Sequence, residues 1–180
     1  MLLISDPAFA GYEEALSAYK RGDYETALQE WRRLAVKGHA KAQYKVAKLY
    51  VQGKGVEQDH VEAARWYRRA ALRGDPESQV ELAQSYFLGR GVEQDLDQAR
   101  EWSKIAAKSG FAKAQHFLGV MYTTGRGVPQ DYVQAHVWLS RAAAQGDENA
   151  TKALKALEKR MTPGDVFKAQ KLAQKVASKK

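Results

Sequence analysis

An all-α fold, a solenoid of antiparallel helix pairs, is predicted for this chain by three observations. The segments 53–59, 89–95 and 125–131 read GKGVEQD, GRGVEQD and GRGVPQD, each 36 residues after the last. Other columns keep that step without an insertion: Gln43, Gln79 and Gln115; Tyr50, Tyr86 and Tyr122; Trp66, Trp102 and Trp138; Gly74, Gly110 and Gly146. Helix-favouring residues fill the space between, with 4 Pro and 14 Gly in 180 residues. A period of 20 to 50 residues is the signature of stacked supersecondary units, each unable to bury its apolar face alone.

The elements follow in chain order. Residues 1–10 end in Ala8-Phe9-Ala10, the small-x-small form of a signal-peptidase site, but they lack a basic region and a long apolar stretch. They read either as the remnant of a signal peptide or as a loose N-terminus. Residues 11–38 carry the turn Gly22-Asp23-Tyr24 and read as a capping hairpin. Three 36-residue repeats then occupy 39–147. In the first, helix A runs from about Ala40 to Gln52, and Gly53 and Gly55 stop it. Helix B begins at Asp59, and Asp59 with Glu62, Asp95 with Gln98 and Asp131 with Gln134 have the spacing of a reciprocal capping box. Gly89, Gly91, Gly125 and Gly127 repeat the stop, and Asp75-Pro76 starts the next helix A. The pairs Ala70-Ala71, Ala106-Ala107 and Ala142-Ala143 allow close helix approach, while the recurring Tyr and Trp supply core bulk.

Residues 148–180 form a C-terminal cap. Asn149 to Met161 reads as a helix A without its repeat, and Thr162-Pro163-Gly164 leads into a last helix reaching about Ala177. Val166, Ala169, Leu172, Ala173 and Val176 share one face of it, opposite Lys168, Lys171 and Lys175.

Composition excludes several function classes. No cysteine means no disulfide framework, thiolate metal site or thiol nucleophile. A mean hydropathy of −0.58 and the lack of a long apolar run argue against a membrane-spanning helix. The net charge of +8 is uneven: residues 1–150 carry 20 basic and 19 acidic side chains, residues 151–180 carry 9 and 2. Specific nucleic-acid binding by the body is therefore not expected, and membrane contact is expected only through the basic tail. His39, His60, His116 and His136 show no ligand spacing, and no P-loop, dinucleotide fingerprint or nucleophile elbow occurs. The expectation is a non-enzyme without metal or cofactor.

These residues resemble the Sel1-like repeat family, relatives of the tetratricopeptide repeats. The third repeat carries the fullest pattern: Leu118, Gly119, Tyr122, Gly125, Gly127, Val128, Asp131, Ala135, Trp138, Ala142, Ala143 and Gly146. The first two depart at Val46-Ala47 and Leu82-Ala83, where Leu-Gly is usual. Gly22-Asp23-Tyr24 with Ala27, Trp31 and Gly38 resembles a plain tetratricopeptide hairpin. The resemblance implies a right-handed superhelix, monomeric by preference, whose A helices line a concave groove for an extended or helical segment of another protein. Mapped by repeat position, the groove presents Lys41, Tyr44, Lys48 and Val51; Glu77, Val80, Gln84, Phe87 and Leu88; and Lys113, His116, Val120 and Thr123. Phe87-Leu88 stands where the other repeats have Val51-Gln52 and Thr123-Thr124, and reads either as an apolar hot spot or as packing between helices. Cysteine-rich members of the family are associated with β-lactam binding, which does not carry over to a chain with no Cys and no S-x-x-K. The family's frequent export in bacteria, with Ala8-Phe9-Ala10, leans the expected location toward the periplasm or secretion, the cytoplasm being the alternative. The basic final helix leaves a second expected role, binding an anionic lipid or nucleic-acid surface.

Overall fold

The computed structural model describes residues 7–177, which form ten α-helices and no strand among the described residues. Backbone contacts cluster into two compact units, Met1–Gln94 and Asp95–Lys180. The first holds α1 (Pro7–Lys20), α2 (Tyr24–Val36), α3 (Ala40–Gln52), α4 (His60–Ala71) and α5 (Pro76–Leu88). The second holds α6 (Leu96–Lys108), α7 (Ala112–Thr124), α8 (Tyr132–Ala143), α9 (Glu148–Glu158) and α10 (Pro163–Ala177).

The capping hairpin starts earlier than expected, because α1 opens at Pro7 and takes in Ala8-Phe9-Ala10. Proline is favoured in a first helical turn, and Gly11 does not break the helix because it lies against α2. A Cβ there would stand 3.0 Å from the Arg33 guanidinium. The rest of segment 1–10, residues 1–6, lies outside the described residues. At the other end α9 runs Glu148–Glu158, three residues short of the expected Met161, and α10 matches its expected end. Ala169 is fully buried, with Val166, Leu172 and Ala173 half-buried beside it.

Each repeat loop closes by the same bonds. Gly53, Gly89 and Gly125 take the left-handed conformation that ends helices α3, α5 and α7. The loop glutamine then folds back: Gln58, Gln94 and Gln130 donate from Nε2 to the carbonyls of Val51, Phe87 and Thr123 at 2.6, 2.8 and 2.9 Å. Asp59, Asp95 and Asp131 cap the B helices, Asp59 Oδ1 accepting from the amides of Val61 and Glu62 at 2.8 and 2.9 Å. The capping is one-sided, which corrects the reciprocal box expected in the first and third repeats. The Asp59 and Asp131 amides already donate to the carbonyls of Tyr50 and Tyr122 at 3.1 and 3.0 Å. Glu62 pairs instead with Arg65 at 3.1 Å.

The second glycine of the loop does more than stop a helix. Gly55 abuts the start of α2, where an added Cβ would lie 2.5 Å from the Tyr24 carbonyl carbon, and Gly91 abuts the start of α4 at His60 and Val61. Backbone therefore packs on backbone at each of these joints, where only glycine leaves room.

The alanine pairs behave as predicted: Ala70, Ala71, Ala106, Ala107 and Ala142 are buried and Ala143 half-buried. Ala47 and Ala83 are also fully buried where Leu-Gly is usual. Gly119 has a use of its own, since a Cβ there would meet Leu139 Cγ at 2.7 Å. The glutamine column proves to be a set of buried ties. Gln43, Gln79 and Gln115 donate to the carbonyls of Ala35, Ala71 and Ala107 at 2.9, 3.2 and 3.1 Å, joining each helix A to the end of the preceding helix B. Aromatic burial is unequal: Tyr50, Trp66 and Tyr86 are buried, whereas Trp102, Tyr122 and Trp138 are half-buried.

In the second unit α8 packs against α7, α9 and α10, around Ala135, Leu139, Ala142, Ala150 and Leu157. His136 is buried there, its Nε2 3.0 Å from Glu158 Oε1 and its Nδ1 3.1 Å from Ser140 Oγ. This histidine holds α9 to α8, a structural use.

Candidate partner-binding face

The A helices of the first unit bury one stripe and turn another outward, which follows from their apolar spacing. On α3 the outward residues are Lys41, Tyr44, Lys45 and Lys48, at intervals of three and four. On α5 they are Glu77, Glu81, Gln84 and Leu88. The structure brings these two rows together, with Lys48 Nζ 3.7 Å from Glu81 Oε1 and both side chains about one-third exposed. A pair this open adds little stability; its effect is to set basic and acidic rows side by side.

Aromatic rings form the floor. Tyr44 and Tyr67 lie 6.0 Å apart between centroids, and Lys45 Nζ stands 5.8 Å from the Trp31 ring and 6.0 Å from that of Tyr44. At the α1 end, Tyr12 and His39 stack at 5.8 Å, beside Lys41 and a depression of about 430 Å³. At the loop end, Val51, Gln84 and Leu88 border a cleft of about 40 Å³.

The acidic row is felt by the tyrosines. Burial first, then the carboxylates of Glu81, Glu77 and Asp75, push the Tyr44 hydroxyl up to about 12, and burial with Glu81 also raises Tyr67. A tyrosine in the unfolded chain ionises near pH 10, so between pH 10 and 12 the unfolded state has released a proton that the folded state still binds. Stability contributed by Tyr44 is thus complete below pH 10 and lost as pH rises toward 12. Tyr44→Phe is expected to flatten that alkaline loss in denaturant titrations at pH 9, 10 and 11, and an unchanged slope counts against the assignment.

Not every predicted residue reaches this face. Val80, expected in the groove, is 4% exposed and belongs to the core. It occupies the column of Tyr44 and His116, and a short branched side chain is covered there while the longer rings reach outward. Phe87 is half-buried and Leu88 is 52% exposed, so the apolar step divides between packing and surface. In the second unit Lys113 is exposed and His116, Val120 and Thr123 are half-buried. His116 Nδ1 lies 3.7 Å from Asp147 Oδ2, and Thr123 Oγ1 donates to the Gly119 carbonyl at 2.8 Å. Sequence reasoning missed Tyr12, Lys45, Tyr67 and Glu81. The i, i+4 repetitions Lys41-Lys45 and Glu77-Glu81 were available as signals; Tyr67, on a helix B, had none.

Among the described residues no three His, Asp or Glu side chains are grouped as metal ligands, and no helix is long and apolar enough to cross a membrane. A helical face of mixed charge with an aromatic floor is a surface suited to binding another chain.

The comparisons with known proteins agree with this architecture. A family model for the Sel1 repeat matches residues 40–75, 76–111 and 112–147, and the chain belongs to that family. Sel1 repeats generally mediate protein–protein interaction, and Sel1-repeat scaffolds are generally non-enzymatic. Among solved structures, the chain is similar to c5321, a protective antigen of uropathogenic Escherichia coli with an SLR fold, at 35% identity and a TM-score of 0.81, over 87% of this chain and 34% of that one. A Sel1 repeat protein from Oxalobacter formigenes matches at 29% identity and a TM-score of 0.77, over 86% of this chain and 63% of the other. Cysteine-rich protein B of Helicobacter pylori shares the fold at 19% identity, with a TM-score of 0.59, over 72% of this chain and 96% of that one. An exopolysaccharide production negative regulator of Rhizobium leguminosarum bv. viciae is 38% identical over 52 residues, 29% of this chain and 20% of the regulator. The chain thus spans about a fifth of that regulator and a third of the E. coli antigen.

Proposed function

We propose that the protein is a non-enzymatic scaffold that holds an extended or helical segment of a partner protein on the outward face of its A helices, with α3 and α5 as the principal contact. The carrying observation is the juxtaposition of the lysine row of α3 with Glu77 and Glu81 of α5 over Tyr44 and Tyr67. Side-by-side rows of opposite charge favour a partner segment that carries both signs, and they penalise one of uniform charge. The half-buried ring of Tyr44 supplies apolar area that a docked segment can desolvate, while Tyr67 beneath it is already buried. Leu88 adds an exposed apolar contact at one end. Membership of the Sel1-repeat family, whose repeats generally mediate protein–protein interaction, supports a role in recruiting other proteins.

The test compares capture by the wild-type chain with capture by a Lys48→Glu, Leu88→Glu variant, both positions lying outside the core. A groove-held partner is expected to fall at least tenfold with the variant while surviving 0.5 M salt. Capture that is indifferent to the variant contradicts the reading.

One observation favours a second role. On α10 Phe167 is 59% exposed, with Lys171 Nζ 4.7 Å from its ring, a pairing of apolar and cationic groups suited to an anionic surface. Binding of that kind falls steeply with salt and is lost on deletion of residues 165–180, the opposite of the groove's behaviour.

A further inference from the structure

Positive charge in the first unit is concentrated at one end of two of its helices. The C-terminal halves of α2 and α4 run into their closing glycines as WRRLAVKG at 31–38 and YRRAALRG at 67–74, one repeat apart. Each stretch carries an arginine doublet, then an aliphatic residue and a further cation, so together they hold six cations and no carboxylate. The near balance of charge over residues 1–150 conceals this cluster.

The fold sets the two stretches side by side. A Cβ on Gly38, just past α2, would stand 3.1 Å from the Arg73 guanidinium at the end of α4. All six cations are exposed, and among the described residues only Arg33 of the six has an ion-pair partner, Glu30 at 2.9 Å. Val36 and Leu72 stand among them, 69% and 70% exposed. Helix termini account for part of this, since a last-turn cation answers the carbonyls left open there, and Arg73 donates to the Arg69 carbonyl at 3.4 Å. Yet α8 closes with Arg141 as its last-turn cation. Capping therefore calls for neither the two doublets nor the aliphatic side chain turned to water beside each.

Three properties select the occupant. The charge is of one sign, without the alternation found between α3 and α5, so it attracts an anionic partner and imposes no register on it. Five of the six cations are arginines, whose forked donors bind phosphate oxygens in pairs. The exposed aliphatic side chains gain only where an apolar phase lies directly behind the anions, as acyl chains lie behind lipid headgroups. A nucleic-acid backbone offers no such phase, and Trp31, Trp66 and Tyr67, the nearby rings that could stack on bases, are buried. An acidic protein segment would need carboxylates placed to match cations on two helices, whereas lipid headgroups diffuse to them.

We propose that the adjoining C-terminal ends of α2 and α4 dock on an anionic lipid surface, with the arginines and Lys37 at the level of the headgroup phosphates and Val36 and Leu72 inserted beneath them. The contact is peripheral. It uses no residue of the A-helix face and stands apart from Phe167 and Lys171 of α10.

The test is co-sedimentation of the full chain with vesicles of phosphatidylcholine alone, or with about one-third phosphatidylglycerol. Binding is expected only with the anionic lipid, and at least tenfold weaker at about 0.5 M salt. Arg32→Glu, Arg68→Glu, at two exposed positions without ion-pair partners, is expected to weaken it at least tenfold. Val36→Ser, Leu72→Ser is expected to weaken it about tenfold, while Phe167→Ser, Lys171→Glu changes it by less than about twofold. The chain has no cysteine, so Leu72→Cys and Leu88→Cys each carry a single spin label. On anionic vesicles the label at 72 is expected to pass from water into the acyl region, and the label at 88 to stay in water. Equal binding to the two vesicle types, or binding indifferent to either the arginine or the aliphatic variant, overturns the proposal. Loss of binding with Phe167→Ser, Lys171→Glu alone moves the contact to α10 and overturns it too. Binding of polyglutamate or duplex DNA through the same arginines, with the label at 72 still in water on vesicles, makes an acidic polymer the occupant and overturns it likewise.

Discussion

Gly91→Ala is expected to cost about 4 kcal/mol of stability and lower the melting temperature by roughly 10 °C. Two effects add at this position. Its φ of +72° is a conformation that alanine adopts only under strain, and the new methyl would fall inside the His60 carbonyl, with the Val61 amide 2.9 Å away. The obstacle is backbone, which cannot rotate aside as a side chain can, so α4 would have to move from the loop. Gly22→Ala is the matched control. Its φ of +85° carries the same kind of strain, but nothing lies within 4 Å of the added methyl, and the expected loss is about 1 kcal/mol. Denaturant unfolding of the two variants separates them. Equal losses would show that conformational strain alone accounts for the loop glycines and that the close approach to His60 is not a constraint.

Trp66→Ala is expected to cost roughly 3 to 5 kcal/mol, the range for truncating a buried tryptophan. Trp102→Ala, the same column one repeat later, should cost no more than about half of that, because its side chain is half-buried rather than 2% exposed. Trp66 also carries the Arg69 guanidinium 4.4 Å from its ring centroid, a contact that goes with it. Urea midpoints of the two variants, with unchanged slopes, measure the difference. A loss at position 102 as large as that at 66 would mean the two columns are equivalent.

The tryptophans show where sequence reading stops. The 36-residue step, the glycine stops and the aspartate caps are local signals that repeat three times, and the structure places helices α3 to α8 where those signals put them. Unequal burial of Trp66 and Trp102 depends on which helices lie beside each, which a column of identical residues does not encode. The capping box shows the same limit: the spacing of Asp59 and Glu62 is right for it, but the Asp59 amide is taken by Tyr50, nine residues earlier in the chain and brought close only by the folded loop. Val80 was placed in the groove by its column and sank into the core by its size. Tyr67, on a helix B, becomes visible only when α3, α4 and α5 are set side by side, whereas Glu81 was legible in its i, i+4 spacing from Glu77.

Site-specific photo-crosslinking tests the central claim most directly, with a photoreactive residue placed at Leu88 on the A-helix face or at Leu72 at the end of α4, 52% and 70% exposed. A partner held on the A-helix face gives one abundant adduct from position 88, suppressed by Lys48→Glu, and none from position 72. An adduct of the same protein from position 72, with none from 88, would contradict the account and move the binding surface to the outer ends of the B helices.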